Sequence, residues 1–224
     1  MSGVPRRVLL VAVSVLVAGA LAVLVVVLRS PDDSPTPATD AGREVGAAGP
    51  ADCDPVRGEP AVDHAHVDDQ TLRYPAPPAS GDHSGRWAVL PRPFYTVADR
   101  PDAAVLVHNL EHGYNILWYD LTVVDDAEAL ERVREIAEVY TLTGRDPADA
   151  FIAAPWSAAD GGPMPEGRHY ALTHWYADPE APGRGRTDEI GYTRYCATVD
   201  ADLVRQWMAD YPLRDAPEGY PVNM

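Results

Sequence analysis

The distribution of apolar residues divides the chain into three parts. An apolar run without any charged residue extends from Val8 to Leu28. Residues 29–52 are rich in Pro, Asp, Ala and Thr and contain no aromatic residue. Apolar residues then recur in short periodic groups from Cys53 onwards. This pattern predicts one transmembrane helix over residues 8–28, a disordered linker over 29–52 and a folded domain over 53–224.

The residues that flank the apolar run predict its orientation. Arg6 and Arg7 precede it, and positive charge favours the cytoplasmic side of a membrane. Residues 1–7 are therefore predicted to be cytoplasmic, and the domain to be extracytoplasmic at the cell membrane, held by a single span. A cleaved signal peptide is the alternative, but its apolar core is usually about 7–15 residues long. The small residues Ala18-Gly19-Ala20 lie inside the run rather than after it.

Periodic patterns in the second half of the domain predict a regular framework. Four short apolar runs have the length of strands, over residues 114–119, 151–154, 169–176 and 190–197. Helical spacing of apolar residues covers about Ala127–Thr141, with Asp125 as a possible N-cap, and a second helix follows Asp200 and ends at Pro212. The order of these elements predicts an α+β fold in which two helices cover one mixed sheet.

The first half of the domain is rich in proline and poor in periodic patterns. A short strand is predicted at about Gln70–Tyr74, and residues 75–83 contain three prolines, which disfavour helix. A second proline-bearing loop covers residues 90–93, and a polar Pro/Gly-rich loop covers residues 178–188. These long loops are the kind of segment in which binding sites are often built.

Charge and cysteine content narrow the possible partners. The formal net charge is −16, and the only charged residues among the first thirty are three arginines, so the domain itself is more acidic still. Such a domain repels nucleic acid, which is not expected as a partner, and contact with the membrane is expected only through residues 8–28. Cys53 and Cys196 are predicted to form one disulfide, as two cysteines in an extracytoplasmic domain commonly do.

The densest group of reactive side chains is His108-Asn-Leu-Glu111-His112, which lies between two apolar segments. Buried ionisable groups must be paired, hydrogen-bonded or bound to a metal. On a helical turn, His108 and His112 share a face and can hold one ion, whereas on a strand they lie about 13 Å apart. His83 would add a third ligand, and His66 or Glu111 a fourth, which is a donor set that suits zinc or copper.

Two other functions fit the same residues. The spelling His-x-x-Glu-His matches the inverzincin motif and suggests a zinc-assisted hydrolase with Glu111 as the general base. Gly113 and the strand-like run after it leave little room for the long helix that such enzymes use. Alternatively, the histidines brace loops by hydrogen bonds in a structural or interaction domain of the cell envelope. No P-loop, dinucleotide-binding glycine pattern or Gly-x-Ser-x-Gly elbow is present in the sequence.

Two short segments resemble the signatures of a known family. Residues 77–83 resemble a Pro-Pro-x-Ser-Gly-x-His signature, and residues 108–113 resemble a His-x-Leu-Glu-His-Gly block. Further residues that occur in the same order are Cys53, His66, Tyr74, Trp175, Cys196 and Pro217-Glu218. Together they resemble the bacterial domain-of-unknown-function family 3105. The resemblance implies a membrane-anchored, extracytoplasmic protein and implies no activity; His174 stands where the family more usually has alanine, so no role carries over to it.

The leading hypothesis is a membrane-tethered binding module. Its predicted metal ligands are His66, His83, His108, Glu111 and His112, and the predicted ion is zinc or copper. If this hypothesis is right, the nitrogens of the four imidazoles should converge to within about 4–5 Å, because each would lie about 2.1 Å from one ion.

Overall fold

Six strands and four α-helices occur in the described part of the computed structural model, which comprises residues 51–61, 63–67, 72–140, 150–178 and 188–219. The strands are β1 (Asp52–Cys53), β2 (Arg57–Pro60), β3 (Asn115–Tyr119), β4 (Phe151–Pro155), β5 (Tyr170–Ala177) and β6 (Glu189–Thr198). The helices are α1 (Ala103–Glu111), α2 (Leu121–Asp125), α3 (Ala127–Ala137) and α4 (Ala201–Asp210), and a 3₁₀ turn covers Leu213–Asp215.

The six strands form one mixed sheet, which confirms the predicted α+β class. The strand order is β1-β6-β5-β3-β4, and β2 also pairs with β6. Only β3 and β4 run parallel, whereas the other pairs are antiparallel. Cys53 and Cys196 are opposite each other on β1 and β6 and are joined by a disulfide, as predicted.

Alternating side chains of β3 separate two hydrophobic cores. Leu117 and Tyr119 belong to one core, together with residues of α3 and α4. Ile116 and Trp118 belong to the other, together with residues of α1. The two predicted helices therefore lie over one face of the sheet. The opposite face is covered by α1, a helix that the sequence suggests only as one possible turn at residues 108–112.

The helix caps agree with the prediction at α4 and differ from it at α3. Asp200 caps α4 by accepting a hydrogen bond from the Leu203 amide at 2.7 Å. The N-cap of α3 is Asp126, whose Oδ1 lies 3.0 Å from the amide nitrogens of Glu128 and Ala129. The proposal of Asp125 is wrong because that residue is the last of α2, a short helix without an apolar period.

Several expectations fall partly or wholly outside the described residues. Segment 8–28, the linker up to residue 50 and most of loop 178–188 lie outside them. In the described ranges, no helix has both the length and the apolar composition required to cross a bilayer. The described end of the strand predicted at Gln70–Tyr74 is not a strand, because Leu72 and Arg73 are irregular and Tyr74 makes only an isolated bridge to Gly161.

Candidate metal centre

Helix α1 carries one half of the candidate centre. Its residues are buried apart from Val105, so the helix has an apolar side in the core and a polar side that also avoids solvent. His108 and Glu111 lie on that polar side, and His112 follows directly at the C-cap. Gly113 then ends the helix with φ +93°, and a Cβ at this position would collide with the backbone oxygen of Leu213.

Two loops that pair with each other carry the other half. The His83 amide donates to the Ala65 carbonyl at 3.1 Å, and the Val67 amide donates to the His83 carbonyl at 2.8 Å. The Asp82 carboxylate accepts from the Ala65 amide at 2.7 Å and strengthens the pairing. As a result, the rings of His66 and His83 lie side by side, with centroids 4.8 Å apart.

The two halves meet in one cluster of possible ligands. His66, His83, His108 and Glu111 each offer one ligand atom, and these four atoms lie within 4.8 Å of one another. In a tetrahedral site with donors about 2.1 Å from the ion, two donors lie about 3.4 Å apart, so the most widely separated donors must approach each other by about 1.4 Å to share one ion. Four of the five predicted ligands are therefore close together, and they come from separate parts of the chain.

Hydrogen bonds to backbone carbonyls fix which ring nitrogens carry the proton. Nδ1 of His83 lies 2.8 Å from the Gly81 carbonyl oxygen, and Nδ1 of His108 lies 2.7 Å from that of Ser84. A carbonyl oxygen only accepts, so each Nδ1 must donate, and each Nε2 of a neutral ring presents a lone pair to the cluster. The turn that directs the Gly81 carbonyl towards His83 depends on glycine, since φ of Gly81 is +126°.

When the His83 ring is neutral, its Nε2 and the carboxylate of Glu111 face each other as two acceptors. Nε2 of His83 lies 3.1 Å from Oε2 of Glu111, and neither atom has a hydrogen bond of acceptable geometry. His83 is fully buried and Glu111 is 8% exposed, so water does not separate them readily. Burial alone raises the pKa of Glu111, but the three neighbouring histidines lower it below its usual value, which keeps the carboxylate ionised.

His112 borders the four-residue cluster. Its Nε2 lies 3.0 Å from Nε2 of His108, and its Nδ1 lies 3.1 Å from Oε2 of Glu218. Glu218 is held in place by its own amide, which donates to the Glu111 carbonyl at 3.0 Å. Burial lowers the pKa of both His108 and His112, which favours the neutral rings that bind metals.

Glu218 is a site residue that the sequence pattern does not reveal. It appears only as part of the family resemblance, and no local spacing connects it to His112. The signal that points to it is the Pro217-Glu218 pair itself, a short motif near the end of the family pattern. A carboxylate behind a metal-binding imidazole is a recurrent arrangement, because it fixes the orientation of the ring.

Aromatic side chains surround the cluster. Trp175 packs edge-on against His83 at 5.6 Å and against His64 at 5.5 Å, and its indole N–H donates to Glu189 at 3.0 Å. Trp87 packs against the rings of His108 and His112 at 5.5 Å, and 47% of its surface is exposed. The cluster therefore has a closed side at Trp175 and an outer side towards solvent.

The comparisons with known proteins add one finding. The model of a family described as protein of unknown function (DUF3105) matches residues 66–222, a range that includes all of the side chains in the cluster. No curated protein and no solved structure matches the chain.

Proposed function

The chain belongs to the DUF3105 family of proteins of unknown function, and we propose that its domain binds a divalent transition metal, zinc or copper. The proposed ligands are His66, His83, His108 and Glu111. His112 either joins them or supports His108 from the side. The domain is proposed to do this outside the cytoplasmic membrane, tethered by residues 8–28.

The contact between His83 and Glu111 carries the proposal. Two buried acceptors 3.1 Å apart repel each other, and either a bound metal cation or a proton on Nε2 of His83 removes this repulsion. Metal analysis of the chain distinguishes the two. In a tetrahedral zinc site, two donors are separated by about 3.4 Å, which is close to the observed distance. The backbone carbonyls that hold Nδ1 of His83 and of His108 also match the usual support of metal-binding histidines.

The donor chemistry narrows the kind of ion. Three imidazoles and one carboxylate suit zinc or copper, whereas calcium and magnesium prefer oxygen donors alone. Thiolate ligands are not available to the site, because Cys53 and Cys196 are joined to each other. The disulfide, the arginines before the apolar run and the length of that run all support an extracytoplasmic location.

Metal analysis of the full-length chain tests the proposal. The chain is purified in detergent, stripped with a chelator, dialysed and titrated with zinc(II) and copper(II) against a competing chelator. We expect one tightly bound ion per chain in the wild type and a loss of at least about 100-fold in affinity in His83→Ala. His169→Ala is the matched control, because His169 pairs with Asp120 at 2.9 Å and has no ligand atom in the cluster.

The same experiment separates the two other hypotheses. If the histidines only brace loops, His83→Ala and the wild type will carry the same trace metal. In that case His83→Ala will also lower the stability by the same amount with and without chelator. A hydrolase would need Glu111 as a base beside the ion rather than as a ligand. The short distance from Glu111 to His83 favours the ligand role, and an unchanged affinity in Glu111→Gln would argue for the base.

A further inference from the structure

The four proposed ligands differ in how firmly the protein holds them. His83 and His108 each have a backbone carbonyl on Nδ1, and both are buried. Glu111 is 8% exposed and belongs to a helix. The His66 side chain is 54% exposed, and within the described residues no hydrogen bond orients its ring.

Two contacts place the His66 ring without locking it. The ring stacks on that of His108, with centroids 4.9 Å apart and planes 15° apart, and its Nε2 lies 3.6 Å from Oε2 of Glu111. The backbone of residue 66 is fixed, since it pairs with His83 in an isolated bridge. A rotation about the side-chain bonds therefore withdraws the ring from the cluster without breaking any hydrogen bond or moving the backbone.

Resting on the metal-binding function proposed above, we propose that the centre exchanges its ion directly with low-molecular-weight chelates through His66. The incoming nitrogen or oxygen donor takes the coordination position that the His66 imidazole leaves, while His83, His108 and Glu111 still hold the ion. The other bonds are then replaced one by one. The ion keeps its oxidation state throughout, and each neutral imidazole that leaves is replaced by one donor of the chelate.

This arrangement differs from that of a permanent structural site. Structural zinc sites are closed, with four protein ligands and no open coordination position. Here the ligand with the most exposed side chain, His66, also has a ring that no hydrogen bond within the described residues orients, so a chelate can approach before any buried bond breaks. The centre is therefore suited to receiving and passing on an ion, with small chelates as the exchange partners.

Gly85 offers a way to cover His66 without removing any ligand. A Cβ at position 85 would lie 3.8 Å from the Cβ of His66, an ordinary contact, and no other atom would lie within 4 Å of it. A longer side chain at this position therefore has space to lie along the exposed ring. The backbone of Gly85 does not have a positive φ, so it accepts other residues.

The test measures removal of cobalt(II), a visible substitute for zinc, from the loaded full-length chain. L-histidine and EDTA are mixed with the chain at rising concentrations, and the loss of the cobalt absorption is followed in a stopped-flow instrument. In the wild type we expect the rate to rise in proportion to the concentration of either chelator. In His66→Ala the coordination position of the missing imidazole is already open, so we expect removal of cobalt(II) to be at least about tenfold faster. We also expect a smaller loss of metal affinity than in His83→Ala.

Gly85→Leu and His169→Ala complete the set. Gly85→Leu should slow removal several-fold and leave the equilibrium affinity unchanged within about threefold, whereas His169→Ala should behave as the wild type. A removal rate that does not depend on chelator concentration would overturn the inference, as would a loss of affinity in His66→Ala as large as that in His83→Ala. A wild-type chain that binds no ion would instead overturn the proposed function, and the exchange role with it.

Discussion

Two places in the protein bury histidine, and they do so in opposite ways. In the cluster, His83 and His108 each donate one ring proton to a backbone carbonyl and present the other nitrogen to further donors. His174, at the centre of β5, is equally inaccessible, but neither of its ring nitrogens has a hydrogen-bond partner. Within the described residues, its ring lies against that of Tyr211, with centroids 5.5 Å apart.

The difference shows that burial alone does not identify a functional histidine. Burial lowers the pKa of His174 to about 3, so this ring stays neutral and reduces the stability of the fold without contributing to a site. The rings of His83 and His108 are also buried, but their Nδ1 atoms are satisfied, and both residues belong to a cluster of possible ligands that includes the carboxylate of Glu111. Convergence and fixed tautomers, rather than perturbed pKa values, are the evidence for a site.

The largest predicted effect concerns stabilisation by metal. At a free ion concentration of about a thousand times the dissociation constant, the ion should raise the free energy of unfolding by about 4 kcal/mol. We expect this increase in the wild type and in His174→Leu, and an increase of at most about 1.4 kcal/mol in His83→Leu. Urea unfolding with and without zinc(II) measures it, and an equal increase in all three chains would remove the distinction between the two places.

The second prediction uses pH and concerns His174 alone. Its folded-state pKa of about 3 is below the unfolded value of 6.5, so the unfolded chain binds more protons between these values and stability falls as the pH falls. The part of the free energy of unfolding that depends on protonation of His174 is at its highest above pH 6.5, and it decreases by about 2 kcal/mol between pH 7 and pH 5. Urea unfolding of the metal-free chain should show this loss in the wild type and a correspondingly smaller one in His174→Leu. Parallel pH profiles would show that His174 is not buried as described.

The third prediction concerns Glu218, whose carboxylate contacts Nδ1 of His112. Glu218→Gln keeps an acceptor for Nδ1 of His112 but removes the charge, so the affinity for zinc(II) should fall about tenfold. Glu218→Ala should weaken it further. Competition titration measures both, and Glu166→Gln, an exposed glutamate outside the cluster, is the control. An affinity unchanged in Glu218→Ala would mean that His112 does not help to hold the ion.

The smallest predicted effect is a gain in the stability of the metal-free chain. In His174→Leu two buried nitrogens without partners are replaced by apolar atoms, which should stabilise the metal-free chain by about 1 kcal/mol at pH 7. The metal-free chain should be less stable in His169→Leu, because that substitution removes the hydrogen bond to Asp120. Thermal unfolding compares the two, and destabilisation in His174→Leu would indicate that the ring fits its site better than its hydrogen bonds suggest.

Local periodicity predicted the elements over the face of the sheet that α3 and α4 cover. These helices have one apolar and one polar side, and the predicted strand runs agree with β3 to β6 within about two residues. The same reasoning failed at α1, because apart from Val105 its residues are buried, and its few polar residues near the C-terminal end do not give a clear helical period. Strand β2, with four exposed residues, likewise lacks an apolar pattern.

The candidate site was predictable in its residue types but only partly in its geometry. The two signatures identified His83, His108 and Glu111, because a family pattern records residues that lie close in space but apart in the chain. Their tautomers were not predictable, since these depend on carbonyl groups that only the folded loops bring into place. The partnership of Glu218 with His112 was not predictable from spacing, because it joins residues more than a hundred positions apart in the sequence.

The positions of the ligands along the chain have a consequence for biosynthesis. His66, His83, His108 and Glu111 all precede β3, so a ribosome completes the donor set before it has made any of the strands β3 to β6. If the centre binds an ion as proposed, the growing chain can acquire it at that stage and close its early loops onto α1 as a cross-link would. The metal supply available to the nascent chain would then affect how fast its early loops close, even though the metal-free chain also folds.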